Sequence, residues 1–224
     1  MPAPSFTPIL EAARTRLGAG ALEARLTQPR SPVELKAQPD DRYLSQMELR
    51  IFRAGLKHSL VDAKWPAFEE VFERFEPRRV RAMSDEALEA LLGDRRLIRH
   101  WGKLKSVRDN AAAMINVAEE HGSFGAWLAD WPASDIVGLW EALAKRFSQM
   151  GGNSGPSFLR MVGKDTFVLT HSVMAALKRW GAAEIPPKNR KDRAAVQLHF
   201  NAWAAETGRP LCQLSLILAA SVDE

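Results

Sequence analysis

The residues best placed to do chemistry lie in a short polar run, Met150-Gly151-Gly152-Asn153-Ser154-Gly155, between two segments with helical spacing. Two adjacent glycines remove Cβ where the backbone must turn sharply and can approach another molecule closely. The next helix is expected to open at Ser154 or Gly155, with Pro156 suited to its first turn. Free N–H groups at such a start point outward and, with the helix dipole, can hold a phosphate. The same run also suits an ordinary helix–helix connection, so its meaning depends on its surroundings. Basic residues cluster at Arg78-Arg79-Val80-Arg81, from Arg95 through Arg99 to Lys105, and from Lys188 to Arg193, and the net charge of +4 permits a polyanionic partner. Metal chemistry is not expected. His58, His100, His121, His171 and His199 show no ligand spacing, and Cys212, the single cysteine, sits in an apolar run that reads as a buried inert thiol. No cofactor is expected either.

Apolar positions recur at helical spacing almost throughout the 224 residues, and strand-like alternation is nearly absent, so the chain reads as all-α. Helices are expected at about 6–17, 43–63, 66–74, 84–92, 97–121, 134–149, 155–162, 171–180, 190–207 and 211–221. Ser84 opens one of them, Trp65-Pro66 breaks the chain, and Gly181 and Gly208 close two others. The proline-rich stretch 1–41 is expected to be an arm packed on a single helical unit, 42–224, and a basic loop from Pro186 to Lys191 changes the chain direction. No run approaches the roughly 18 apolar residues of a membrane helix, and no signal segment precedes the body, which favours the cytoplasm.

The order of several elements is more specific than any one of them. Trp65-Pro66 and Phe68 through Phe75-Glu76-Pro77 are followed by Ile98-Arg99-His100-Trp101-Gly102-Lys103-Leu104 and by Asn110-Ala111. Together they resemble the DNA-3-methyladenine glycosylase I family, within the helix-hairpin-helix glycosylases, over about residues 42–180. The resemblance implies a two-lobed all-α fold with a central cleft. It also implies an enzyme that flips a damaged, 3-methyladenine-like purine out of double-stranded DNA and hydrolyses its N-glycosidic bond. Such a protein would act as a monomer, in a bacterial-type cytoplasm at the nucleoid. In this reading Gly151, Gly152, Ser154 and Gly155 hold phosphate, Arg53, His58 and Glu48 bind the base, and Ser172 with His171 serves catalysis at the sugar. No lysine lies in the hairpin, so the chemistry is monofunctional, with water as nucleophile.

The chain departs from the family pattern at three places. Arg53 and His58 stand where a glutamine and a tryptophan are usual, and a gapless match puts Arg50, not Glu48, at the base-binding glutamate. Like charges in a desolvated pocket repel, so Arg53 weighs against a cationic base, while His58 could stack on a base or hydrogen-bond its edge. Ser172 stands where many glycosylases of the superfamily carry an aspartate, while nearby Asp165 reads as a structural ion pair or helix cap. The cysteines of the family's zinc site are absent, and no zinc is expected. Phe52 and Trp65 read as core. The favoured function is the glycosylase; the alternatives are a weak or inactive protein that binds damaged DNA with the same fold, and a helical interaction module.

Overall fold

The computed structural model describes residues 3–183, 187 and 189–223, and among these no strand is present. Fourteen α-helices occur among the described residues: α1 (Thr7–Leu17), α2 (Ala19–Glu23), α3 (Pro32–Ala37), α4 (Asp40–Arg53), α5 (His58–Val71), α6 (Pro77–Arg81), α7 (Asp85–Ala90), α8 (Trp101–His121), α9 (Phe124–Asp130), α10 (Ile136–Arg146), α11 (Ser154–Met161), α12 (His171–Arg179), α13 (Arg190–Thr207) and α14 (Leu211–Ala220). The basic loop expected at 186–191 falls partly outside the described residues.

The chain forms two compact units, one of residues 1–30, 132–139 and 163–224, the other of residues 31–131 and 140–162. In the first unit, α1 and α12 pack on α14. Phe6 is fully buried beside Trp203, whose indole N–H donates to the Pro4 carbonyl at 2.7 Å. Phe167 and Phe200 stack with ring centroids 4.1 Å apart. The N-terminal prolines permit helix here, because Pro8 occupies a first turn whose N–H has no partner in any case. Asp165 caps α14: its carboxylate accepts from the N–H groups of Leu211 at 3.0 Å and Cys212 at 2.9 Å. That satisfies two orphan donors at a helix start and confirms the structural reading of this acid.

In the second unit, α4 and α6 pack on α8, and α3 packs on α9. The first turn of α4 carries Asp40 and Asp41, which complement its dipole, and Tyr43, Leu44, Met47 and Ile51 bury one face. The expected break at Trp65-Pro66 does not occur. Helix α5 runs through Pro66, and the chain turns instead at Ala54–Lys57, where Gly55 adopts a left-handed φ of 76°. An interior proline costs about 3 kcal/mol in an unsupported helix. Here stacking spans it from both sides: Trp65 lies 5.0 Å from Phe68 and 5.4 Å from Phe75, and Phe52 lies 4.6 Å from Phe68. Ser84 caps α7 through Ala87 N–H, and Gly208 closes α13 in the left-handed conformation, both as expected.

Candidate active site

Within the second unit, the long helix α8 brings the candidate groups into register. Its start is set by His100, whose Nδ1 accepts from Lys103 N–H at 3.3 Å. From the middle of α8, Asn110 reaches two other segments. Its Nδ2 donates to Glu48 Oε1 of α4 at 2.7 Å and to the Ser148 carbonyl at 3.2 Å, and its Oδ1 accepts from Ser148 N–H at 2.7 Å. One amide thereby fixes α4 against the residues that lead into the glycine turn.

Glu48 is fully buried. Desolvation pushes its carboxyl up to about 8, with Asp109 adding to the rise, while hydrogen bonds from Asn110 and Ser106 act the other way. The carboxyl is therefore mostly protonated at neutral pH. Ser106 stands 3.5 Å from Oε2 and is itself anchored to the Lys103 carbonyl at 2.8 Å.

Three cations surround the C-terminal turn of α4. Lys103 is 8% exposed, donates to the carbonyls of Ala54 at 2.7 Å and Phe52 at 3.3 Å, and lies over the Phe52 ring. It thus caps the carbonyl end of α4. Burial, then the charge of Arg50, pulls its ammonium below the usual lysine range. Arg53 pairs with Asp62 of α5, Nε to Oδ1 at 2.8 Å and Nη2 to Oδ1 at 2.7 Å. Arg50 has no such carboxylate. Its Nε is buried without a hydrogen-bond partner among the described residues, and burial followed by the charge of Arg53 lowers its pKa. Of the two guanidiniums, Arg53 has an acidic partner and Arg50 has none among the described residues. His58 is exposed at the first residue of α5, on the far side of the Gly55 turn from Arg53.

The glycine turn precedes α11 as expected. Gly151 and Gly152 are exposed, and Gly152 has φ 59°. The Ser154 N–H is taken by the Gly151 carbonyl at 3.1 Å, so it closes the turn instead of pointing outward. Gly155 is buried, and a Cβ there would lie 3.2 Å from the Met150 carbonyl, so the turn would have to yield by a few tenths of an ångström to admit one. Gln149, just before the turn, holds a left-handed φ of 59° and donates from Nε2 to the Gly102 carbonyl at 2.8 Å.

His171 and Ser172 belong to the first unit, where they open α12 behind the Thr170 cap. His171 is exposed. Ser172 lines a cavity of about 510 Å³ with Arg16, Arg25 and the α14 residues Leu216, Ala219 and Ala220. The network that sequence spacing does not reveal is Glu48–Asn110–Ser148; the only signal for it is a lone asparagine on the buried face of α8.

The methyladenine glycosylase family model matches residues 35–150. The chain is 36% identical over 70 residues to DNA-3-methyladenine glycosylase 1 of Escherichia coli (strain K12), a match spanning 31% of this chain and 37% of the relative's length. A crystal structure of 3-methyladenine DNA glycosylase I superposes with TM-score 0.50 at 25% identity, covering 61% of this chain and 81% of that one. The 8-oxoguanine glycosylase/lyase of Methanocaldococcus jannaschii, solved with DNA, shares the fold over 96% of this chain and 95% of its own, with TM-score 0.53 at 14% identity. The matched residues span more than half the sequence and hold the Glu48–Asn110–Ser148 network and the start of the glycine turn: the chain belongs to the methyladenine glycosylase family.

Proposed function

We propose that the protein is a monofunctional DNA glycosylase of base-excision repair, acting on alkylated purines in double-stranded DNA. The observation that carries this reading is the Asn110 network. Flipping a base requires a phosphate grip at a fixed distance from the pocket that receives the base. Asn110 supplies that rigidity by tying α4, which bears Arg50 and Arg53, to Ser148 at the entrance of the glycine turn.

In this reading Gly151, Gly152 and Ser154 lie against the DNA backbone, and Gly155 allows the close packing beneath them. Arg50, Arg53 and His58 meet the edge of the base, with the unpartnered Arg50 Nε donating to an acceptor on the purine. Glu48 acts from behind as the buried partner of Asn110. Water attacks C1′ as the N-glycosidic bond breaks, the base leaves with the bonding electron pair, and the water proton is lost. An alkylated purine already carries a weakened bond, so binding and positioning supply most of the rate. By resemblance alone, Ser172 and His171 orient the attacking water. The protein works as a monomer without cofactor, in the cytoplasm at the nucleoid. No helix of the described residues is long and apolar enough to cross a membrane.

The test is incubation with duplex DNA methylated on its purines. Free 3-methyladenine and 7-methylguanine are followed by chromatography against an enzyme-free control and an Arg53→Gln variant. Release above background supports the enzyme. Absence of release together with tight binding to an abasic-site analogue would establish the damage-binding alternative instead.

A further inference from the structure

Trp101 stands apart from the other six tryptophans of the chain. It is 37% exposed and has neither a ring partner nor a hydrogen bond among the described residues. Trp65, Trp127, Trp131, Trp180 and Trp203 all stack or donate within the protein. An exposed indole presents a flat face on which a base can stack, so its neighbourhood decides what it could meet.

Two features of that neighbourhood point to nucleic acid. The segment from Arg95 to Arg108 contains six Lys or Arg residues and no acid. Arg96 is neutralised by Asp94 and Glu70, and Lys103 is turned inward. Arg95, Arg99 and Lys105 are exposed and have no carboxylate partner among the described residues. Interleaved cations and an aromatic match a phosphate backbone with unstacked bases. The second feature is position. Gly102, next to Trp101, accepts the Gln149 side chain at 2.8 Å, and Gln149 adjoins the glycine turn. A non-glycine residue in the left-handed region costs about 1 kcal/mol or more, and this contact holds it there. Trp101 and the turn are thereby kept at a fixed spacing.

We infer that the start of α8 is a second DNA-contacting element, in which Trp101 stacks on a nucleobase unstacked at the lesion, Arg99 and Lys105 meet phosphates, and Gln149 sets the distance to the glycine turn. This rests on the glycosylase reading and adds a contact to it. Stacking of one base on an aromatic side chain is worth about 1–3 kcal/mol, or about fivefold to a hundredfold in affinity.

The experiment is fluorescence anisotropy with two labelled duplexes, one intact and one carrying a tetrahydrofuran abasic analogue, for the wild type and the Trp101→Ala, Trp101→Phe and Gln149→Ala variants. Thermal melting of each variant checks that it folds. Trp101→Ala should lose about tenfold or more in affinity for the abasic duplex and little for the intact one. Trp101→Phe should retain most of the affinity, and Gln149→Ala should lose part of it. If the wild type prefers the abasic duplex and Trp101→Ala matches it on both, the inference is overturned while the glycosylase reading stands. A wild type with no preference overturns both.

Discussion

Replacing Glu48 with glutamine should stabilise the protein, although Glu48 is fully buried and hydrogen-bonded. The amide is nearly isosteric. Its Oε1 still accepts from Asn110, and its Nε2 can donate to Ser106 Oγ, which keeps its own bond to the Lys103 carbonyl. What changes is the proton. Glu48 ionises near 4.5 in a solvated chain and near 8 in the folded one. Between those values the folded state binds one more proton than the unfolded state, so stability falls as pH rises through this window and levels off above it. Each pH unit is worth about 1.4 kcal/mol, so the carboxyl costs roughly 3 kcal/mol at pH 7 and roughly 5 kcal/mol above pH 8. At pH 5 the cost is under about 1 kcal/mol. For a chain of this size, Glu48→Gln should raise Tm by roughly 6–12 °C at pH 7 and by little at pH 5. Thermal melts of both proteins from pH 5 to 8.5 read this directly. An advantage that does not grow with pH, or a variant less stable than the wild type at pH 7, would refute a protonated Glu48.

Three further outcomes follow from the same contacts. Asn110→Ala should cost about 2–5 kcal/mol, because it strands the Glu48 carboxyl and the Ser148 N–H at once, and denaturant unfolding measures it. Gly155→Ala would bring a Cβ to 3.2 Å from the Met150 carbonyl, so the glycine turn must shift by a few tenths of an ångström, and DNA affinity should fall in a gel-shift titration. Asp165→Ala should lose about 1–2 kcal/mol by uncapping α14 while excision per folded molecule stays unchanged, which separates a scaffold acid from a reacting one.

Much of the helical architecture could be read from the sequence because periodicity and punctuation act locally. Gly208, Ser84 and the opening of α11 at Ser154 declare themselves through residue type. The structural role of Asp165 was legible from its place beside Lys164, but not its partner, since the helix it caps begins 46 residues later. The break between α4 and α5 was not, because Pro66 is a stronger local signal than Gly55 and only the aromatic stack around the proline keeps α5 continuous. A break placed at Pro66 also hides a contact. In one continuous helix, Arg53 and Asp62, nine residues apart, lie on opposite faces; the turn at Gly55 is what lets them pair. The bond between Glu48 and Asn110 spans 62 residues and obeys no spacing rule. Arg50 is marked only by what it lacks among the described residues, a partner for its buried Nε.

The discontinuous make-up of the first unit bears on how the protein is made. Residues 31–131 and 140–162 are all translated before residues 163–224, so the second unit can close before the first. Helix α1 is made well before α13 and α14, and until they follow, Phe6 lacks the Trp203 ring that covers it and α1 lacks the helix it packs on. Helix α1 therefore stays uncovered longer than the helices of the second unit, and a chaperone or a protease would find a purchase there.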